Sequence, residues 1–150
     1  MNTLKWSHEL EIGIPPIDKQ HKRIVNYINQ LEEIKATKNR EEVGYILNQL
    51  VDYTLSHFAF EEELMEESGY IFVNAHKRVH KMFVKKVGTF VDRYKLGEDI
   101  AVELLITLKT WLVNHIKNDD NDYSEAVKHK MHLKIKKSGW LKKSLKKYFG

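Results

Sequence analysis

Apolar residues recur along this chain in steps of three and four, the period of an α-helix, and not in the alternation of a strand. Ile24, Ile28 and Leu31 carry one such row through residues 18–36. A second, over 41–66, reads Ile46 or Leu47, Leu50, Thr54, His57, Glu61, and Leu64 or Met65. A third, over 70–95, reads Phe72, His76, His80, Phe83, Val87, Phe90 and Tyr94. The fourth, over 100–118, takes in Leu104, Leu108, Trp111, Leu112, His115 and Ile116. Polar turns separate the rows at 37–40, 68–69 and 95–99, and Gly69 suits the left-handed position that closes a helix. The pattern predicts an all-α fold, an antiparallel up-down-up-down four-helix bundle. Residues 1–17 read as an extended N-terminal arm, with Trp6, Ile12, Ile14 and Ile17 interleaved with Gly13, Pro15 and Pro16. Asp18 is placed to cap the first helix.

Composition narrows this picture. A chain of 150 residues, 42% hydrophobic and 31% charged, fits one domain with its own core. It has no cysteine, so disulfides, iron–sulfur clusters and thiolate metal sites drop out together. No apolar run reaches membrane-spanning length and residues 1–20 lack a signal-peptide core, which predicts a cytoplasmic protein. The pattern calls for nothing beyond a monomer or weak oligomer.

The net charge of +4 hides an asymmetry. Eight lysines and no acid fall within 130–150, leaving residues 1–129 at −4. The chain therefore divides into a mildly acidic bundle domain, 1–129, and a basic amphipathic C-terminal extension, 130–150. Tyr123, Val127, Met131 and Ile135 continue a four-step row that suggests a short fifth helix, broken at Ser138 and Gly139. From Trp140 to Phe149, Trp140, Leu141, Ser144, Leu145, Tyr148 and Phe149 share one face, with Lys142, Lys143, Lys146 and Lys147 opposite. Such a tail either docks on the bundle or another protein, or lies on an anionic membrane surface at the inner face of the membrane. The acidic body and the lack of a reading motif argue against nucleic acid. His8, His129 and His132 read as solvated.

The rows contain an anomaly. Inner helix faces are normally apolar, because a polar group buried without a partner costs free energy. Here His21, His57 with Glu61, His76 with His80, and His115 with Asp119 or Asp120 all fall on inner faces. Residues four apart on a helix reach the same small region. In an antiparallel bundle the start of the first helix, the end of the second, the start of the third and the end of the fourth lie at one height. All four groups would meet there, which points to a metal centre. Five imidazole nitrogens, four oxygens from two bridging carboxylates and a bridging oxide or hydroxide leave one of the twelve positions of two six-coordinate ions open. Nitrogen and oxygen donors with one open position suit non-heme iron, which takes dioxygen there; zinc would prefer fewer ligands and calcium or magnesium fewer histidines.

These residues resemble the bacterial hemerythrins. The matching pieces are Trp6 and Gly13-Ile14-Pro15-Pro16-Ile17-Asp18-Lys19-Gln20-His21, then His57-Phe58-Ala59-Phe60-Glu61-Glu62, His76 with His80, and Trp111-Leu112 leading to His115-Ile116, Asp120 and Tyr123, over about residues 1–125. The resemblance implies reversible dioxygen binding rather than an enzyme: two iron ions, oxo- or hydroxo-bridged, in a carrier, storage or delivery protein. It implies His76, His80 and His115 on one iron, His21 and His57 on the other with the open position, and Glu61 and Asp120 as bridges. It selects Asp120 over Asp119, although Asp120 lies about 140° from His115 on a straight helix, so the fourth helix must end or distort between them. Asp119 then reads as a solvated residue of an acidic turn. Ile116, Phe58, Trp111 and Leu112 are candidate walls of the dioxygen pocket. The alternatives are a di-iron oxidase or peroxidase-like enzyme, iron handling, and oxygen or nitric oxide sensing. Ferritin-like oxidase sites use Glu-x-x-His pairs, and none occurs in this chain.

Overall fold

The period-3.6 rows become helices in the computed structural model, which describes residues 3–37, 39–133 and 140–150. Helices α1 (Pro15–Ile34), α2 (Arg40–Glu67), α3 (Val73–Lys95) and α4 (Ala101–Asn114) form the four-helix bundle, with α1 against α2 and α4, and α2 against α3. The apolar rows meet along its axis: Ile28, Leu31, Leu47, Leu50, Phe83, Val87, Leu104 and Leu108 are all buried. Among the described residues there is no strand.

The helix ends have local causes, and three differ from expectation. Asp18 does not cap α1. The helix starts earlier, at Pro15 after Ile14, where proline loses nothing because a first-turn N–H has no partner. The Asp18 carboxylate instead reaches back to accept from the N–H groups of Ile12 (2.9 Å) and Gly13 (3.1 Å). That ties the arm, which carries a short 3-10 turn at His8–Leu10, to the first turn of α1. At α2 the Asn39 side chain accepts from the N–H groups of Glu41 and Glu42 at 3.1 and 3.2 Å. Gly69 closes α2 at φ +70°. Helix α3 begins at Val73 rather than near 70, so Phe72 precedes it and is exposed instead of facing inward. Gly44 lets α3 approach α2: a Cβ there would collide with the Tyr94 ring, whose hydroxyl donates to the Arg40 carbonyl at 2.7 Å.

The fourth helix does not stop at its predicted end. From Asn114 the chain runs through one π-helical turn, His115–Asp120, straight into α5 (Asn121–Leu133), which packs on α2 with Tyr123 and Val127 fully buried. The expected domain limit at 129 therefore falls inside a helix. Helix α6 (Trp140–Phe149) lies on α2. Phe149 meets Tyr53 and Phe60 with ring centroids at 5.4 and 5.9 Å, and Ser144 and Lys147 both donate to Glu63, at 3.0 and 3.2 Å. Of the partners considered for the tail, the bundle takes its Leu145–Phe149 face in this structure, while Lys142, Lys143 and Lys146 stay exposed. Ile135, Ser138 and Gly139, and the side chains of Met131, His132, Trp140 and Leu141, lie outside the described residues. No described helix is long and apolar enough to cross a membrane.

Candidate metal centre

The four polar groups converge at one height of the bundle. Helix α1 supplies His21, α2 supplies His57 and Glu61, α3 supplies His76 and His80, and the π-turn supplies His115 and Asp120, all buried. They form two overlapping clusters: Glu61, His76, His80, His115 and Asp120, and His21, His57, Glu61 and Asp120. Within each, one donor atom per residue lies within 4.8 Å of all the others. Glu61 and Asp120 belong to both. The Asp120 oxygens lie 3.0 Å from His21 Nε2, 3.1 Å from His76 Nε2 and 3.0 Å from His115 Nε2. Glu61 Oε1 lies 2.9 Å from His57 Nε2 and 3.5 Å from His80 Nε2.

The outer side of three imidazoles fixes their tautomer. His57 Nδ1 lies 2.6 Å from Gln20 Oε1, His80 Nδ1 2.9 Å from Glu62 Oε2, and His115 Nδ1 2.8 Å from Asp119 Oδ2. Each partner atom can only accept, so each Nδ1 carries the hydrogen and each Nε2 turns a lone pair inward, as a metal ligand must. Asp119 is thus not simply solvated; it holds His115 from outside while Asp120 approaches from inside. Tyr123 Oη donates to Glu61 Oε2 at 2.5 Å. Burial, with the Glu61 and Asp120 carboxylates beside it, pushes that phenol well above its ordinary range and keeps it a donor.

Gln20, Glu62, Asp119 and Tyr123 are the contributors to the site whose roles sequence reasoning missed. The first three are chain neighbours of ligand candidates, and that adjacency was the available signal.

The π-turn explains how one short segment supplies three groups. A straight α-helix would bring only the residue four after His115 to its side. The wider π-turn sets Asp119 against Nδ1 and Asp120 against Nε2.

The electrostatics are those of a site built for cations. Burial disfavours the carboxylate charge, but the imidazoles outweigh it, holding Glu61 below its ordinary range and Asp120 well below. Burial lowers His57. It acts on His115 too, but the Asp120, Asp119 and Glu61 carboxylates prevail there and push that ring up to about 10. Meanwhile His21 Nε2, His76 Nε2, Glu61 Oε1 and both Asp120 oxygens are buried with no hydrogen-bond partner. Buried polar groups are otherwise nearly always paired. A shared pair of carboxylates, inward lone pairs and orphaned donor atoms fit two metal ions.

Beside His21, His57 and His115 lies a cavity of about 10 Å³, room for about one water-sized molecule. Phe58, Trp111 and Leu112 line it, with Ile24, Ile28 and Leu108. Ile116, the fourth candidate wall, is fully buried but does not line it.

Comparison with known proteins agrees with this geometry. Residues 13–127 match the hemerythrin family, described as the hemerythrin HHE cation binding domain. Bacteriohemerythrin of Pseudomonas aeruginosa (strain LESB58) is 46% identical, with both chains covered in full. That of Methylococcus capsulatus (strain Bath) is 36% identical over 85% of this chain and 98% of its own. A crystal structure of wild-type hemerythrin superposes with a TM-score of 0.80 at 32% identity, covering 83% of this chain and 97% of that one.

Proposed function

This chain belongs to the hemerythrin family, and on that premise we propose that it binds dioxygen reversibly at a non-heme di-iron centre. His76, His80 and His115 would hold one iron and His21 and His57 the other, with Glu61 and Asp120 shared. When bound, the two ferrous ions supply the electrons that dioxygen takes up and returns on release. The observation that carries the reading is the apolar cavity against the centre, lined by both imidazoles of the cluster with fewer of them, His21 and His57, and by one of the other three, His115.

The chain's own residues have three tasks. Gln20, Glu62 and Asp119 orient imidazoles by accepting their Nδ1 hydrogens. Tyr123 holds the outer oxygen of Glu61. Ile24, Phe58, Leu108 and Leu112 keep water from the cavity, and a dry apolar wall favours a neutral diatomic over an anion or water. The donor set, rich in neutral imidazole, favours reversible binding over oxidation of a second substrate. The extension over 130–150 adds a helix packed on the bundle, so removing residues 140–150 should leave sedimentation with anionic vesicles unchanged.

The test combines iron analysis with the visible spectrum. Two irons per chain, and a band that appears under dioxygen and vanishes under vacuum over many cycles, are expected. Steady dioxygen consumption with a reductant would replace the carrier reading with an oxidase.

A further inference from the structure

The inner cavity has one partly exposed wall. Among the described residues that line it, Trp111 alone is partly exposed; the others are buried. On its outer side lies a second space, an open groove of about 450 Å³ lined by Lys86 of α3, by Thr107, Thr110 and Asn114 of α4, and by Asp119 of the π-turn. The two spaces share two lining residues, Trp111 and His115. His115 is held at Asp119 and Asp120, so Trp111 is the member of the pair free of such ties.

We propose that dioxygen reaches the metal centre through the groove between α3 and α4 and past the Trp111 indole, which acts as the gate; the assignment rests on the dioxygen-binding reading of the site. The indole is a plate clamped between two rings. It stacks on Phe83 with centroids 3.7 Å apart and planes at 21°, and on His115 at 4.3 Å and 20°. Phe58 meets it edge-on at 5.7 Å and 62°. Stacked faces slide over one another more readily than they separate, so the plate moves in its own plane without exposing His115 to bulk water. A small neutral gas needs only such a slip. The groove lining is neutral and polar at Thr107, Thr110 and Asn114, and its one lysine, Lys86, is matched by one carboxylate, Asp119, so an anion meets no net positive charge. Size and neutrality thus select the ligand before it meets a metal.

Exchange of dissolved dioxygen with the cavity, read as paramagnetic relaxation of the Ile24, Leu108 and Leu112 methyl groups in the full-length iron-loaded protein with both irons ferric, and so with no electrons to give dioxygen, tests the route independently of binding at the metal. Thr110→Trp, on the exposed rim, plugs the groove without touching the cavity, and Trp111→Phe trims the gate. Exchange should slow about tenfold in Thr110→Trp and quicken about tenfold in Trp111→Phe, the factor that a change of ~1.4 kcal/mol in the barrier gives. Dioxygen association rates should move in the same directions. Unchanged exchange in Thr110→Trp would overturn the route whatever Trp111→Phe does. Slowing in Thr110→Trp without acceleration in Trp111→Phe would overturn the gating role. Either failure leaves the di-iron reading intact, since iron content and the reversible spectrum report on that separately.

Discussion

The two halves of the centre share Glu61 and Asp120 but differ in everything around them. On the side of His76, His80 and His115, the outer partners are carboxylates, Glu62 and Asp119. On the side of His21 and His57, the outer partner is the neutral amide of Gln20, and both imidazoles line the apolar cavity, against one of the three on the other side. A carboxylate behind a ligating imidazole makes it a stronger donor. On the proposed reading, one half would hold its metal ion firmly, and the other would leave its ion accessible and dry. The contrast arises from the bundle: the first half draws on α3 and the π-turn, the second on α1 and α2.

The largest effect should come from withholding metal altogether. Both halves then keep buried, unpaired donors, and chelated protein should unfold about 10 °C below the iron-loaded form, the size expected for a ligand bound far above its dissociation constant. Equal melting temperatures in the two forms would remove the metal from the account of the fold. Next, Asp120→Asn should release both ions together, lowering affinity by more than ~100-fold, beyond the usual cost of losing an outer partner. Retention of one iron per chain would break the claim that the halves hang on a shared carboxylate.

The comparison itself is sharpened at the outer partners. Asp119→Asn should weaken iron binding toward the upper end of the ~10–100-fold range, and Gln20→Ala toward the lower end. A reversed order, read by competition with a chelator, would contradict the assignment of the firm half. Gln20→Glu should make the second half resemble the first, so that the oxygenated protein loses its band to autoxidation about several-fold faster. The smallest effect is a control remote from both halves. Lys109 and Lys35 hold the buried Glu32 carboxyl below its ordinary value of 4.5 against the opposing effect of burial. A lowered carboxyl stabilises the fold above its unfolded pKa, and that stability is lost as pH falls through the folded value. Glu32→Gln should therefore cost about 1 kcal/mol at neutral pH, converge with the unsubstituted protein in acid, and leave the iron spectrum unchanged.

The fold was legible wherever burial follows the helical period. Ile24, Leu50, Phe83 and Leu108 announce their helices because one face of each must be apolar. Ends were less legible, since they depend on single hydrogen bonds. Asp18 has the right residue type for a cap, yet the two prolines start the helix before it. The inward polar groups could be found because they break the apolar rows. Gln20 and Glu62 break no row; each looks like a surface residue until the neighbouring helix is known, while Asp119 was visible as the residue four after His115 but not as its partner on the outer nitrogen. Cavity walls were legible only in part, because Phe58, Trp111 and Leu112 differ from other core residues by the space they leave, and no single residue encodes a space.

The π-turn at His115–Asp120 makes the end of the fourth helix a place where chain length is a chemical quantity. Each residue of an α-helix turns the chain by about 100°, so deleting one residue between Ile116 and Asp119 would restore the regular winding and leave a single carboxylate beside His115. The helices on either side would keep their phase, since the wider turn is what absorbs the extra residue, so Tyr123 and α5 would stay against α2. A chain shortened by Lys117 or Asn118 should therefore fold as before yet hold less metal, whereas one shortened by a single residue within 96–99 should keep its full complement, a pattern that a deletion scan read by metal content would reveal.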